Sequence, residues 1–79
     1  MTNLILENAK LILINGSVVY GPVTTEDNQE FLFRNTYSEL DLYFLLKKDE
    51  EGDWFFTGGP SIEIPKNYVG QIGRQIDNK

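Results

Sequence analysis

The chain has no cysteine and no histidine. The first absence excludes disulfides and thiol nucleophiles. The second removes the side chain that most often binds zinc, iron or copper, or moves a proton near neutral pH. Basic residues are scarce too, with seven Lys and Arg against twelve Asp and Glu, a net charge of −5. Phosphate backbones and anionic membranes suit that balance poorly, because affinity for either rests on clustered Lys and Arg. The adjacent basic pair Lys47-Lys48 runs straight into Asp49-Glu50-Glu51. Nucleic acid is therefore disfavoured as a partner. No stretch approaches about 18 consecutive apolar residues, so no membrane-spanning helix is expected. The opening Met1-Thr2-Asn3 lacks the basic and apolar regions of a secretory signal, which makes a soluble cytoplasmic protein the default expectation.

What remains is a chain of 79 residues, read as a single domain over 1–79 with 73–79 expected to fray. A chain this short buries only roughly 60–65% of its unfolded surface. Without disulfides or metal, its core must come from packing, and ten aromatic residues supply the material. The strongest local signal is Asn15-Gly16 between Leu11-Ile12-Leu13-Ile14 and Val18-Val19-Tyr20. Asn-Gly tolerates the positive φ angles of a tight hairpin turn, so a hairpin is expected here with both turn residues left-handed.

The rest of the chain continues in the same idiom. Leu4-Ile5-Leu6 reads as a strand, or as part of a short helix over 3–9, with Glu7-Asn8-Ala9-Lys10 suited to a turn before the next run. Consecutive apolar residues at 11–14 predict a strand covered on both faces. Gly21-Pro22 predicts a bend, since proline is confined to edges and bulges. Glu30-Phe31-Leu32-Phe33-Arg34 reads as a strand with Phe31 and Phe33 on one face, and Leu40, Leu42, Phe44 and Leu46 form the longest alternating pattern. A second hairpin is expected around Lys48 to Asp53, leading into Trp54-Phe55-Phe56. Trp54 and Phe56 should then lie in the core, with Phe55 facing outward. Ser61-Ile62-Glu63-Ile64 reads as a last short strand, and Asn67-Tyr68-Val69 as one short helical turn. Five to six short strands punctuated by turns predict an all-β, antiparallel small barrel or roll.

The run Leu11-x-Leu13-x-Asn15-Gly16-x-x-x-x-Gly21-x-Val23-x-x-x-Asp27 resembles the first motif of Sm-like proteins, over residues 11–33. The resemblance implies a small open β-barrel of Sm-like or Src-homology-3-like type, with ring-type self-association. RNA binders of that family carry an Asn shortly after the Asp and an Arg-Gly pair near the C-terminus. Here Phe31 stands four residues after Asp27, and Gly73-Arg74 has the inverse order, so those RNA-binding residues are not reproduced.

No pattern amounts to a catalytic, cofactor or metal site. Glu39 with Asp41, or Asp27 with Glu30, are paired carboxylates without a histidine, cysteine or phosphate loop to work beside. Asp49, Glu50, Glu51 and Asp53 form an acidic surface, but they lack the alternating ligand pattern of a calcium loop and read as a solvated hairpin. Gly16, Gly21, Gly58 and Gly59 sit between strands, where turn duty outranks anion binding. The candidate recognition residues are aromatic: Tyr37, Tyr43 and Phe55 would form an exposed patch if their strands were adjacent. The expected function is a noncatalytic protein-interaction module whose exposed aromatics or sheet edges dock a protein or a second copy. An alternative is an acidic inhibitor that mimics nucleic-acid charge, which requires the mid-chain carboxylates to converge. A third, an Sm-like nucleic-acid binder, is disfavoured by charge.

Overall fold

The computed structural model describes residues 2–35, 42–59 and 64–79. Five strands, β1 (Asn3–Ile12), β2 (Val18–Thr25), β3 (Glu30–Arg34), β4 (Tyr43–Lys48) and β5 (Trp54–Gly58), precede one helix, α1 (Lys66–Asp77). The strands pair antiparallel in sequence order, β1-β2-β3-β4-β5. The expected antiparallel β architecture holds in its strands, while the twelve-residue α1 makes the fold mostly β rather than all-β. Its closure into a barrel does not hold, because β1 and β5 remain two edges of one sheet. α1 packs against β1, β4 and β5, so a helix rather than a strand-to-strand seam covers the interior.

Alternation decides which side chains meet. Leu11, Val23, Phe33, Phe44 and Leu46 lie on one face and are fully buried there. The register sets Val23 opposite Phe33 and Phe33 opposite Phe44, whose ring centroids are 5.4 Å apart. α1 closes this face with Tyr68, Val69 and Ile72, and Ile64 joins from just before it. Each large apolar side chain so buried contributes about 1.5–3 kcal/mol. The run at 11–14 is not covered on both faces. Leu11 is buried and Leu13 half-buried against the core, whereas Ile12 and Ile14 are 45% and 78% exposed.

Both expected hairpins form, with a different turn from the one anticipated. Leu13 N–H donates to the Ser17 carbonyl and Gly16 N–H to the Leu13 carbonyl. Asp49 N–H and Gly52 N–H repeat that pattern with Asp53 and Asp49. Each is a three-residue loop whose last residue is left-handed. Gly16 has φ 89°, and Asn15 is not among the positive-φ residues.

The tetrapeptide Glu7-Asn8-Ala9-Lys10 makes no turn and no helix; β1 runs through it as one bulged strand. The register jumps from Leu6 opposite Val23 to Ala9 opposite Gly21, leaving Glu7 and Asn8 against Pro22. The bulge also explains the proline: β2 is an interior strand, and the missing N–H of Pro22 meets irregular backbone instead of a regular ladder. Tail residues 73–79 are mostly helical rather than frayed, and the single turn expected at 67–69 is part of a twelve-residue helix. The expected start of the fourth strand at Leu40 and most of the strand at 61–64 fall outside the described residues.

A polar lock joins α1 to the β4–β5 hairpin. Asp77 accepts from Lys48 Nζ at 2.7 Å and from Trp54 Nε1 at 3.1 Å. The Lys48 hydrogen bond first, and the Trp54 indole second, hold the Asp77 carboxyl below the usual carboxylate range. Its folded value is thus lower than its unfolded one. The stabilisation is present above about pH 4 and is lost as pH falls through the depressed value. Asp77→Asn is expected to be less stable than the parent at pH 7, with the gap closing in acid because Asn still accepts from Trp54. Urea melts between about pH 2 and 7 check this, and parallel stability curves for the two proteins would contradict it.

Candidate protein-interaction surface

The face of the sheet away from α1 has no covering element among the described residues. Register places there Leu4 opposite Thr24, Lys10 opposite Tyr20, Leu32 opposite Leu45, Arg34 opposite Tyr43, and Glu30 and Phe55 on either side of Lys47. Leu32, Tyr43 and Leu45 are half-buried by their neighbours, while Tyr20 and Phe55 are 40% and 44% exposed. The Arg34 guanidinium sits over the Tyr43 ring, 5.1 Å from its centroid, in a cation–π contact.

Of the three aromatic candidates, two share this face. Phe55 faces outward as expected, and Tyr43 lies on the same side but four residues along β4 from Lys47, about 13 Å of extended chain. Leu45 and Lys47 fill the interval, so the patch is apolar and mixed rather than purely aromatic. Tyr37 lies outside the described residues. Trp54 and Phe56 do point to one side, opposite Lys48 and Leu46. Only Trp54 enters the core assembly, edge-on to Phe31 at 5.5 Å and against α1. Phe56 is 43% exposed, which corrects its assignment to the core. The patch residues Leu4, Tyr20, Leu32, Arg34 and Leu45 were not singled out from sequence. The period-two alternation of β3 and β4 carried the signal for three of them.

The described mid-chain acidic residues gather at one end of the sheet, while Glu39 and Asp41 lie outside the described residues. In a meander the β2–β3 and β4–β5 turns fall at the same end of the sheet, and Asp77 of α1 reaches that end through Lys48 and Trp54. Among the described residues eight carboxylates gather there, those of Glu26, Asp27, Glu30, Asp49, Glu50, Glu51, Asp53 and Asp77, with Lys47, Lys48, Lys66, Arg74 and Lys79, a balance of −3. Asp49, Glu51 and Asp53 each bring a carboxylate oxygen within 4.8 Å of the others. The cause is the turn itself: Asp49 Oδ1 accepts from the N–H of Glu51 and of Asp53. Asp27 plays the same part in the β2–β3 turn. The Glu30 N–H, then the Gln29 N–H, bond its carboxylate and lower its pKa.

The two sheet edges differ. Along β1, Gln75 and Gln71 pair with the backbone of Lys10 and Ile12, and the Tyr68 hydroxyl accepts from Ile14 N–H. No such cap lies along the outer edge of β5 among the described residues. Among the described residues, no helix is long and apolar enough to cross a membrane. No protein-family model, curated protein or solved structure matches this chain.

Proposed function

We propose that this chain is a noncatalytic protein-interaction module that docks a partner protein, or a second copy of itself, on the outward face of its sheet. The observation that supports this most is the one-sidedness of α1. The helix covers one face and leaves the other open to a partner, with Leu4 54%, Tyr20 40% and Phe55 44% exposed across it. Exposed aromatic and aliphatic side chains around an arginine held by a ring have the composition of interface anchors. Self-pairing through β1 is hindered from Lys10 to Ile14 by the helix side chains, so association between copies would use the outward face or the edge of β5. Sm-like membership is not needed for this reading.

The double variant Phe55→Ser with Tyr43→Ser tests it. Cross-linking in cells, followed by mass spectrometry, is expected to lose the contacts that map to the outward face, with the cooperative melt retained. An unchanged set of cross-linked proteins and an unchanged sedimentation profile would remove the proposal. The excess of carboxylates at one end of the sheet favours a second reading, an acidic inhibitor that occupies a basic site on another protein. Its signature is loss of binding to basic proteins when Glu50 and Glu51 become Gln, with Phe55→Ser having little effect.

A further inference from the structure

Where the outward face meets the acidic end lies a hollow of about 280 Å³. Leu32 and Leu45, opposite each other across β3 and β4, supply its apolar lining, and Glu26, Asp27 and Glu30 stand around it with Thr24. The three carboxylates are partly engaged. Glu30 Oε2 accepts from the Thr57 hydroxyl at 2.8 Å, Asp27 Oδ1 takes the turn N–H groups, and Glu26 Oε1 receives a long bond from Thr2. Each keeps a second oxygen without a bond among the described residues. None of them forms an ion pair there; the ion pair found is Lys48–Asp77. Three negative groups stand beside two leucines, with Lys47 across the strand from Glu30 as the cation near them among the described residues and in no ion pair with them, and they make a site of defined chemistry. It suits a group that is apolar along its stem and positive at its tip.

We propose that this hollow is a socket for a cationic side chain of the partner, an ammonium or guanidinium on an alkyl stem. The inference rests on the interaction-module reading and specifies the partner: a protein presenting a Lys or Arg next to apolar residues. The stem lies on Leu32 and Leu45, the charge meets Glu26 and Glu30, and the neighbouring residues of the partner continue toward Leu4, Tyr43 and Phe55. Charge complementarity selects the occupant, since an acidic or neutral segment would leave the carboxylates facing like charge or nothing.

The test uses the whole chain, isotopically labelled, and n-butylguanidinium as probe in NMR titrations at low salt. Saturable shifts are expected at the amides of Thr24, Glu30, Leu32 and Leu45. Binding by n-butylurea, which keeps the stem without the charge, and by guanidinium, which keeps the charge without the stem, is expected to be several-fold weaker. Glu26→Gln with Glu30→Gln is expected to weaken n-butylguanidinium by about tenfold. Asp27 is left in place because it holds the turn. Shifts that appear equally at Asp49, Glu51 and Asp53, or equal binding of n-butylurea to the unmodified chain, would overturn the socket. A socket that fails while Phe55→Ser with Tyr43→Ser still abolishes the cellular cross-links would remove the cationic anchor alone. Failure of both would remove the docking face with it.

Discussion

Gly73→Ala is expected to destabilise the fold by about 2 kcal/mol, although alanine is the better helix former by about 1 kcal/mol. The two forces oppose each other at this position, and the geometry decides which prevails. A Cβ placed on Gly73 would land on the Trp54 indole, in collision with Cγ and Cδ1. That ring cannot simply move aside. It sits edge-on to Phe31, donates its Nε1–H to Asp77 and lies under the Lys48 ammonium, whose Nζ is 5.6 Å from the ring centroid. Displacing it breaks the lock between α1 and the second hairpin. Gly70 in the same helix is the control, because nothing lies within 4 Å of the Cβ it would gain. Gly70→Ala is expected to stabilise by about 0.5–1 kcal/mol, a rise of roughly 4 °C in Tm. Thermal melts of the two variants should therefore move in opposite directions. A red shift of Trp54 fluorescence is expected in Gly73→Ala alone. If both alanines raise Tm, the indole does not pack as described.

The contrast between these glycines shows what the sequence made legible and what it did not. Hairpins were readable because their determinants are local: Asn15-Gly16 and the charged Asp49 to Asp53 turn lie between alternating runs, and both close as expected. Even there the turn type depended on where the ladder closes, which two residues do not specify. The one continuous β1 was not readable, since Glu7-Asn8-Ala9-Lys10 is polar enough for a turn. Pairing with β2 across a bulge is a long-range fact. α1 left a faint signal in Tyr68, Val69, Ile72 and Ile76, which fall on one helical stripe. That signal was masked by Gly70 and Gly73 within it and by Pro65 in place of a side-chain cap. Once α1 covers one face of the sheet, a barrel is unnecessary and Ile12 and Ile14 remain outside. The site divides along the same line. Phe55 was identifiable from alternation alone. The gathering of Glu26, Asp27 and Glu30 with the Asp49 to Asp53 turn needed the strand order.

The same helix supports the second large effect, on the exposed edge of β1. Gln71 and Gln75 stand one turn apart, and each carboxamide offers a carbonyl and an N–H, the two groups a neighbouring strand would offer. Gln75 accepts from Lys10 N–H at 2.9 Å and donates to the Lys10 carbonyl at 2.6 Å. Gln71 does the same with Ile12 at 2.9 and 3.0 Å. Two residues on β1 span nearly the same distance as one helical turn, so the side chains of α1 stand in for a sixth strand. Replacing both glutamines with alanine removes the four hydrogen bonds to β1. Water reaches the edge and replaces part of them, so the expected loss is about 2 kcal/mol, at the low end of the net value for four bonds. The larger consequence concerns association. Lys10 and Ile12 would present bare backbone next to the exposed Ile12 and Ile14 side chains, an open template for pairing with another chain. The double alanine variant is expected to lose hydrogen-exchange protection at the Lys10 and Ile12 amides and to scatter light increasingly with concentration. Gln71→Glu with Gln75→Glu keeps the acceptors, loses the donors and adds charge. It should show intermediate protection without association. Unchanged exchange at Lys10 and Ile12 in the alanine variant would mean that the two carboxamides do not cap the strand in solution.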